Sequence, residues 1–300
     1  LSRSLSLDST RYLTSLTAKS AGVENAMKLI ALLLVFCQIR DGDGSFGKPF
    51  YKFLEKAYGI EAANVLDRPD FGNDGSYGGG KGTVSRRPVI IVHGVTNTAM
   101  TFKFVRNFLL KSNYTDEEIY GTTWGDGGRR FILWVRLECQ YIKQVRVLIQ
   151  SVVDFTGSKV DVLAYSMGSP ISRKAILGGN CGPEDIGPPL TDLIETFVGV
   201  AGANYGSDLC FVSFGICNTE NGLHCESKML SHINTQPAKY EARRVYAIYS
   251  TADNKVGLDC CGTNCSMIPH SDGQFIFDRW DHDQIMYETL ELQLDLIKRA

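Results

Sequence analysis

Residues Lys159–Gly168 read K-V-D-V-L-A-Y-S-M-G, and the fold is decided by how this string is read. Val160, Val162 and Leu163 form a short apolar run of the kind that buried strands carry. It ends at Ser166, which is bracketed by Ala164 and Gly168. Where a strand turns sharply into a helix at a serine, the Oγ is pushed out above the sheet, and bulk two positions to either side would clash. The general pattern is G-x-S-x-G; here Ala164 stands at the first glycine. A small-x-Ser-x-small string by itself is commonly an ordinary strand end, so the surroundings must decide.

Upstream, Gln140–Phe155 carries Ile142, Val145, Leu148, Ile149 and Val152 at helical spacing and closes at Gly157. Downstream, Ile171 and Ala175 continue a second helix that stops at Gly178-Gly179, and Pro170 is tolerated in its first turn. Ser166 therefore lies between a strand and a helix. Earlier still, Pro88–Gly94 reads P-V-I-I-V-H-G, four β-branched residues entering a His-Gly turn, which suits a strand buried on both faces of a parallel sheet. The loop Gly94–Thr98 then leads to a helix over about 99–110, with backbone N–H groups above the sheet edge where they could face a developing negative charge. Further strands are expected at Phe197–Ala201 and Arg244–Ser250. Strands and helices thus alternate, and the class expected is α/β with a mostly parallel sheet.

A serine elbow of this type takes an acid and then a histidine from later in the chain. Asp253 stands three residues beyond the strand ending in Ser250, at the sheet's carboxyl edge. Two histidines follow it. His270 lies among Pro, Ser and Gly, whereas His282 directly precedes a terminal segment, Asp283–Lys298, with Met286, Leu290, Leu294 and Ile297 at helical spacing. His282 is preferred; His224 and His232 precede the acid and are read as loop residues. A serine hydroxyl is barely nucleophilic at neutral pH, so His282 would accept its proton while Asp253 fixes the imidazole tautomer. The backbone N–H groups of Met167 and Val95 would bind the oxyanion.

Three hundred residues, 44% hydrophobic and 21% charged, suit one well-buried domain with appendages. A net charge of -2 without a long basic run argues against a nucleic-acid partner. Met27–Cys37 has the lysine and short apolar run of a signal peptide, with a buried helix as the alternative, and is too short to span a bilayer. Residues 1–26 read as an extension outside the fold, 38–87 as a Gly-rich arm with one helix near Phe50–Tyr58, and 88–300 as the catalytic domain. Asp41–Ser45, Asp70–Gly72 and Gly75–Gly82 each resemble part of a calcium, kinase or phosphate-loop motif, but lack the partner residues such chemistry needs. After loss of Cys37 eight cysteines remain, at 139, 181, 210, 217, 225, 260, 261 and 265. They suit four disulfides in an oxidising compartment, with zinc as the alternative. Asn113-Tyr-Thr115 and Asn264-Cys-Ser266 are glycosylation sequons. The clustered Leu209, Phe211, Val212, Phe214 and Ile216 form either an apolar wall beside the site or a satellite core in a disulfide-held loop.

Val-His-Gly-Val at 92–95, Ala-Tyr-Ser-Met-Gly at 164–168, Ile-Tyr-Ser-Thr-Ala-Asp at 248–253 and His282 before a terminal helix together resemble the class 2 lipases, in particular their secreted animal branch. The resemblance covers Pro88 to the C-terminus and the leader, and Ala164 before the nucleophile is usual among small members. It implies a minimal α/β-hydrolase core, hydrolysis of carboxylic esters such as triacylglycerols, and no metal or cofactor. It also implies a lipid or small-ester substrate, with transient contact with lipid surfaces. The alternatives are an acyltransferase or thioesterase using the same three residues, and a catalytically silent extracellular binding module.

Overall fold

The computed structural model describes residues 44–299. The readings for residues 1–26, for the leader 27–37 and for Cys37 lie outside the described residues. Seven strands build the central sheet: β1 (Ser76–Tyr77), β2 (Val89–Val92), β3 (Ile119–Thr122), β4 (Val160–Tyr165), β5 (Ile194–Val200), β6 (Arg244–Ser250) and β7 (Gly273–Phe277). Their spatial order is β1-β3-β2-β4-β5-β6-β7. Only β1 runs antiparallel, against β3; every other neighbouring pair is parallel. Every residue of β2, β4 and β5 is buried, as expected of parallel strands covered on both faces.

Two layers of helices provide that cover. Against one face lie α1 (Lys48–Tyr58), α2 (Ile60–Asp67), α4 (Cys139–Thr156) and α5 (Gly168–Leu177), and they contribute Phe50, Leu54, Leu66, Ile142, Ile149 and Ile171 to one core. On the other are α3 (Lys103–Lys111), α7 (Gln284–Glu288) and α8 (Leu290–Lys298), with Val105, Leu109, Ile285, Leu296 and Ile297. The short helix α6 (Lys228–Asn234) adds Leu230 and Ile233 to the first core. The helix expected to end at Gly157 does so, with Gly157 left-handed and its N–H donating to Val153 O.

Three sequence expectations need correcting. The segment 38–87 is not an arm in its described part: Phe46, Phe50, Tyr51, Leu54, Ala63 and Leu66 are all buried, and β1 extends the sheet. Its glycines serve close approach, since a Cβ on Gly47 would lie 2.5 Å from Gly79 O. Asp67 secures the segment by accepting from Phe46 N and Ser76 Oγ at 2.7 and 2.9 Å. The terminal helix is two helices, broken at Thr289, which accounts for leucines that fit no single period. His232 sits on α6 rather than in a loop.

All eight cysteines of the described residues are paired, as Cys139–Cys181, Cys210–Cys217, Cys225–Cys261 and Cys260–Cys265. The zinc alternative therefore has no free thiolates to draw on. Cys139–Cys181 joins the start of α4 to the strand-like segment beyond α5 and closes a loop with a sequence separation of 42. Replacing both cysteines with alanine is expected to cost about 4 kcal/mol, chiefly by freeing the unfolded chain. Urea unfolding of the double variant measures this, and an unchanged midpoint would contradict it.

Candidate active site

Ser166 follows the last residue of β4 and precedes α5, with φ at 54°, in the left-handed region. A β-strand cannot enter a helix within two residues without such a kink, and the strain is held by packing. Glycine is required at 168, where a Cβ would overlap the carbonyl of His93, and at 94, where it would come 2.9 Å from Ser166 Cβ. Position 164 has no such conflict: Ala164 is fully buried within the ladder between β2 and β5. That is the physical reason the departure from G-x-S-x-G is tolerated.

The structure brings Ser166, His282 and Asp253 together. Ser166 Oγ lies 2.9 Å from His282 Nε2, and His282 Nδ1 lies 2.7 Å from Asp253 Oδ2. All three side chains are buried. The other oxygen of Asp253 accepts from the backbone N–H groups of Lys255 and Val256 at 2.9 and 2.8 Å. Burial alone would raise the Asp253 pKa, but the bond from His282 and these two N–H groups outweigh it and hold the carboxyl below its usual value. An ionised Asp253 accepts the proton on Nδ1, which leaves Nε2 free to accept from the serine hydroxyl.

His270 is exposed and contacts Gln236 O at 3.2 Å, away from this group. His224 accepts from Glu226 N, and His232 lies beside Lys174. Val95 follows Gly94, which packs on Ser166, and Met167 follows Ser166 directly. Neither backbone N–H has an acceptor among the described residues.

Two supports escaped the sequence reading. Tyr165 donates from its hydroxyl to Asp283 Oδ1 at 2.9 Å, with His282 O 3.2 Å from the same oxygen, and its ring centroid lies 5.0 Å from that of His282. The exposed pair Lys255–Asp283, at 2.7 Å, ties the acid's loop to the histidine's loop. His93 is the second support. Its Nε2 accepts from Trp124 N at 3.0 Å, its Nδ1–H donates to Gly94 O at 2.7 Å, and its ring stacks on Trp124. Its presence in the His-Gly turn was legible, but the partner that fixes it, Trp124, follows a strand with no clear sequence signal.

Burial pushes the His93 pKa down to about 4, so the ring is neutral at physiological pH. In the unfolded chain it takes up its proton near the usual 6.5. The folded form binds fewer protons in that window. The stabilisation is thus complete above pH 6.5 and is lost as pH falls toward 4, amounting to about 3 kcal/mol. Urea unfolding across this range should show that loss in the parent and a flatter profile in His93→Gln; parallel profiles would contradict it.

A cavity of about 970 Å³ lies between α2 and the start of α4, lined by residues such as Val65, Pro69, Tyr141 and Val147. None of Ser166, Asp253 and His282 lines it.

Residues 86–295 match the family described as Lipase (class 2). The chain belongs to the class 2 lipases. Its fold is that of the α/β-hydrolases. Among solved structures, this class 2 lipase is similar to lipase B of Aspergillus fumigatus, with 14% identity and a TM-score of 0.52 over 72% of this chain and 53% of that one. It is also similar to the mature lipase BlEst2 of Bacillus licheniformis, with 14% identity and a TM-score of 0.51 over 71% of this chain and 92% of that one. It thus spans about half the length of the fungal lipase and most of the bacterial one. At such identity the likeness concerns the fold alone. No curated protein matches the chain by sequence.

Proposed function

We propose that this class 2 lipase is a secreted serine hydrolase of lipid esters, triacylglycerols among them, that works through an acyl-enzyme on Ser166. The observation that carries this reading is the Asp253–His282–Ser166 relay, at 2.7 and 2.9 Å, on a serine held at positive φ. In the first half-reaction His282 Nε2 takes the serine proton as Oγ adds to the acyl carbon. The tetrahedral oxyanion is bound by the N–H groups of Val95 and Met167. Collapse breaks the ester C–O bond, and the alcohol leaves with the proton from His282. Water then repeats the sequence against the acyl-enzyme, releasing the carboxylic acid and restoring the hydroxyl. Asp253 remains ionised and balances the imidazolium in each half.

Four disulfides in the described residues support the oxidising compartment in this proposal, and with it the leader at 27–37. The exposed, positive-φ turn at Asn113 suits attachment of a glycan. The test is to treat the secreted protein with a fluorophosphonate and map the adduct. One equivalent on the peptide containing Ser166, with parallel loss of hydrolysis across esters of graded chain length, is the expected result. An adduct on another residue, or hydrolysis that survives complete labelling, would overturn the reading.

A further inference from the structure

Ser166, Asp253 and His282 each have a close chain neighbour that takes no proton and touches no reacting atom in the mechanism above. Tyr165 precedes Ser166, Lys255 stands two residues after Asp253, and Asp283 follows His282. These three neighbours meet one another. Asp283 Oδ1 accepts from the Tyr165 hydroxyl at 2.9 Å, and the Lys255 ammonium reaches both Asp283 oxygens, at 2.9 and 2.7 Å. A second set of contacts, Tyr165–Asp283–Lys255, thus runs beside Ser166–His282–Asp253. It links the same three segments: the elbow after β4, the loop after β6 and the loop before α7.

One end of this set is buried and the other is in solvent. Tyr165 is buried, its ring packed against Phe102 and His282 at centroid distances of 5.3 and 5.0 Å. Burial and the nearby Asp283 carboxylate push its pKa well up, so the hydroxyl remains a donor. The Lys255 and Asp283 side chains are 55% and 57% exposed. An exposed ion pair adds little to folding stability, so stability does not account for the arrangement.

Geometry and charge do. Lys255 N donates to Asp253 Oδ1 at 2.9 Å while its ammonium holds Asp283. One residue therefore grips the acid with its backbone and the histidine's loop with its side chain. The backbone contact between the same loops is loose by comparison, with His282 N 3.4 Å from Asn254 Oδ1. Burial would raise the Asp283 pKa, but the bonds from Lys255 and Tyr165 hold it below its usual value, so the group is ionised at neutral pH. The imidazole is faced by Asp253 from the acid's loop and Tyr165 from β4, with Asp283 and Lys255 beside them. Asp281 turns its Oδ1 instead to the N–H groups of Asp283 and Gln284. A lone carboxylate at 283 would favour an imidazolium, and the Lys255 ammonium cancels that pull. We propose that Asp283 is a positioning residue for His282: bound by Tyr165 and Lys255, it keeps the imidazole aligned between Ser166 and Asp253, with its own charge balanced by Lys255. The inference deepens the ester-hydrolase proposal and rests on it for the reaction that the alignment serves.

The test follows kcat, KM and the pH profile of kcat/KM on a soluble short-chain ester at low ionic strength, with thermal unfolding as the control for folding. Asp283→Ala loses both bonds and should lower kcat about ten- to a hundredfold with KM unchanged. Asp283→Asn can still accept from Tyr165 and should lose less, but it leaves the Lys255 charge unbalanced and should move the acid limb of the profile to lower pH. Lys255→Met should move that limb to higher pH, and Lys255→Arg, which can pair with Asp283 again, should restore it. The double variant Lys255→Met/Asp283→Asn should bring the limb back to the parent position. Shifts of opposite sign that cancel are not the result of a purely structural role. Unfolding should change little in these variants, because both side chains are exposed. An unchanged kcat in Asp283→Ala, or displacement of the limb in the same direction by Asp283→Asn and Lys255→Met, would overturn the inference. NMR titration of the His282 ring reads the same displacements without turnover. Opposite displacements there in a protein that hydrolyses no ester would keep the inference and sink the hydrolase proposal instead.

Discussion

Ser166→Ala is expected to lower kcat for ester hydrolysis by at least about ten-thousand-fold and to abolish fluorophosphonate labelling. The magnitude follows from what is removed. Without Oγ no acyl-enzyme forms, and only the oxyanion donors and substrate positioning are left to act on attack by water. Folding should be little affected. Alanine occupies the same positive-φ position, and the backbone bonds Ser166 N to Val200 O and Ala203 N to Ser166 O do not involve the side chain. The informative comparison is therefore activity against thermal unfolding. Loss of hydrolysis with an unchanged unfolding transition supports the assignment, and hydrolysis close to the parent rate would end it.

The second large effect concerns stability. Arg173, on the helix that follows the elbow, pairs with Glu241 at 2.8 Å, with the side chains 0% and 1% exposed. The guanidinium also donates to Asn234 Oδ1 and to Ile233 O. Removing one partner strands a charge in a medium that cannot solvate it, so Glu241→Leu should cost about 3–5 kcal/mol. The double variant Arg173→Met/Glu241→Leu, which leaves no orphaned charge, should recover most of that loss. A double-mutant cycle measured by urea unfolding decides the point. Additive losses would mean that the two groups do not act as a pair. Asn234 also reaches back to Asn204 O, which ties this cluster to the loop behind Ser166. The single variant should thus lose activity before it unfolds.

How much could be read from the chain depended on the kind of signal each element carries. β2, β4 and β6 announced themselves because strands buried on both faces need runs of Val, Ile and Leu, and Arg244–Ser250 matched its expected ends. Helix α4 was equally plain through its period and its glycine stop. By contrast β3, Ile119-Tyr-Gly-Thr122, is four residues long and carries a glycine because the Tyr77 ring crosses it. β7 is an edge strand with alternate residues in solvent. Neither has a pattern that survives without its neighbours. The segment 44–87 was misjudged because its glycines looked like linker composition, when they are points where backbones pass within contact distance. Ser166, Asp253 and His282 could be nominated because the order of elements leaves few candidates. The supports from Tyr165, Trp124 and Lys255 are products of tertiary geometry, and spacing along the chain carries no trace of them.

The separation of the reacting groups along the polypeptide has one more consequence. Ser166 and His282 touch across 116 positions, and the histidine arrives only after β6 and β7 have been laid down. A ribosome must pass residue 282 before the imidazole that faces Ser166 exists, so a growing chain carries the serine without its partner. Recovery of turnover after denaturation will accordingly lag behind recovery of helical signal, because it counts only molecules in which the last strands have docked.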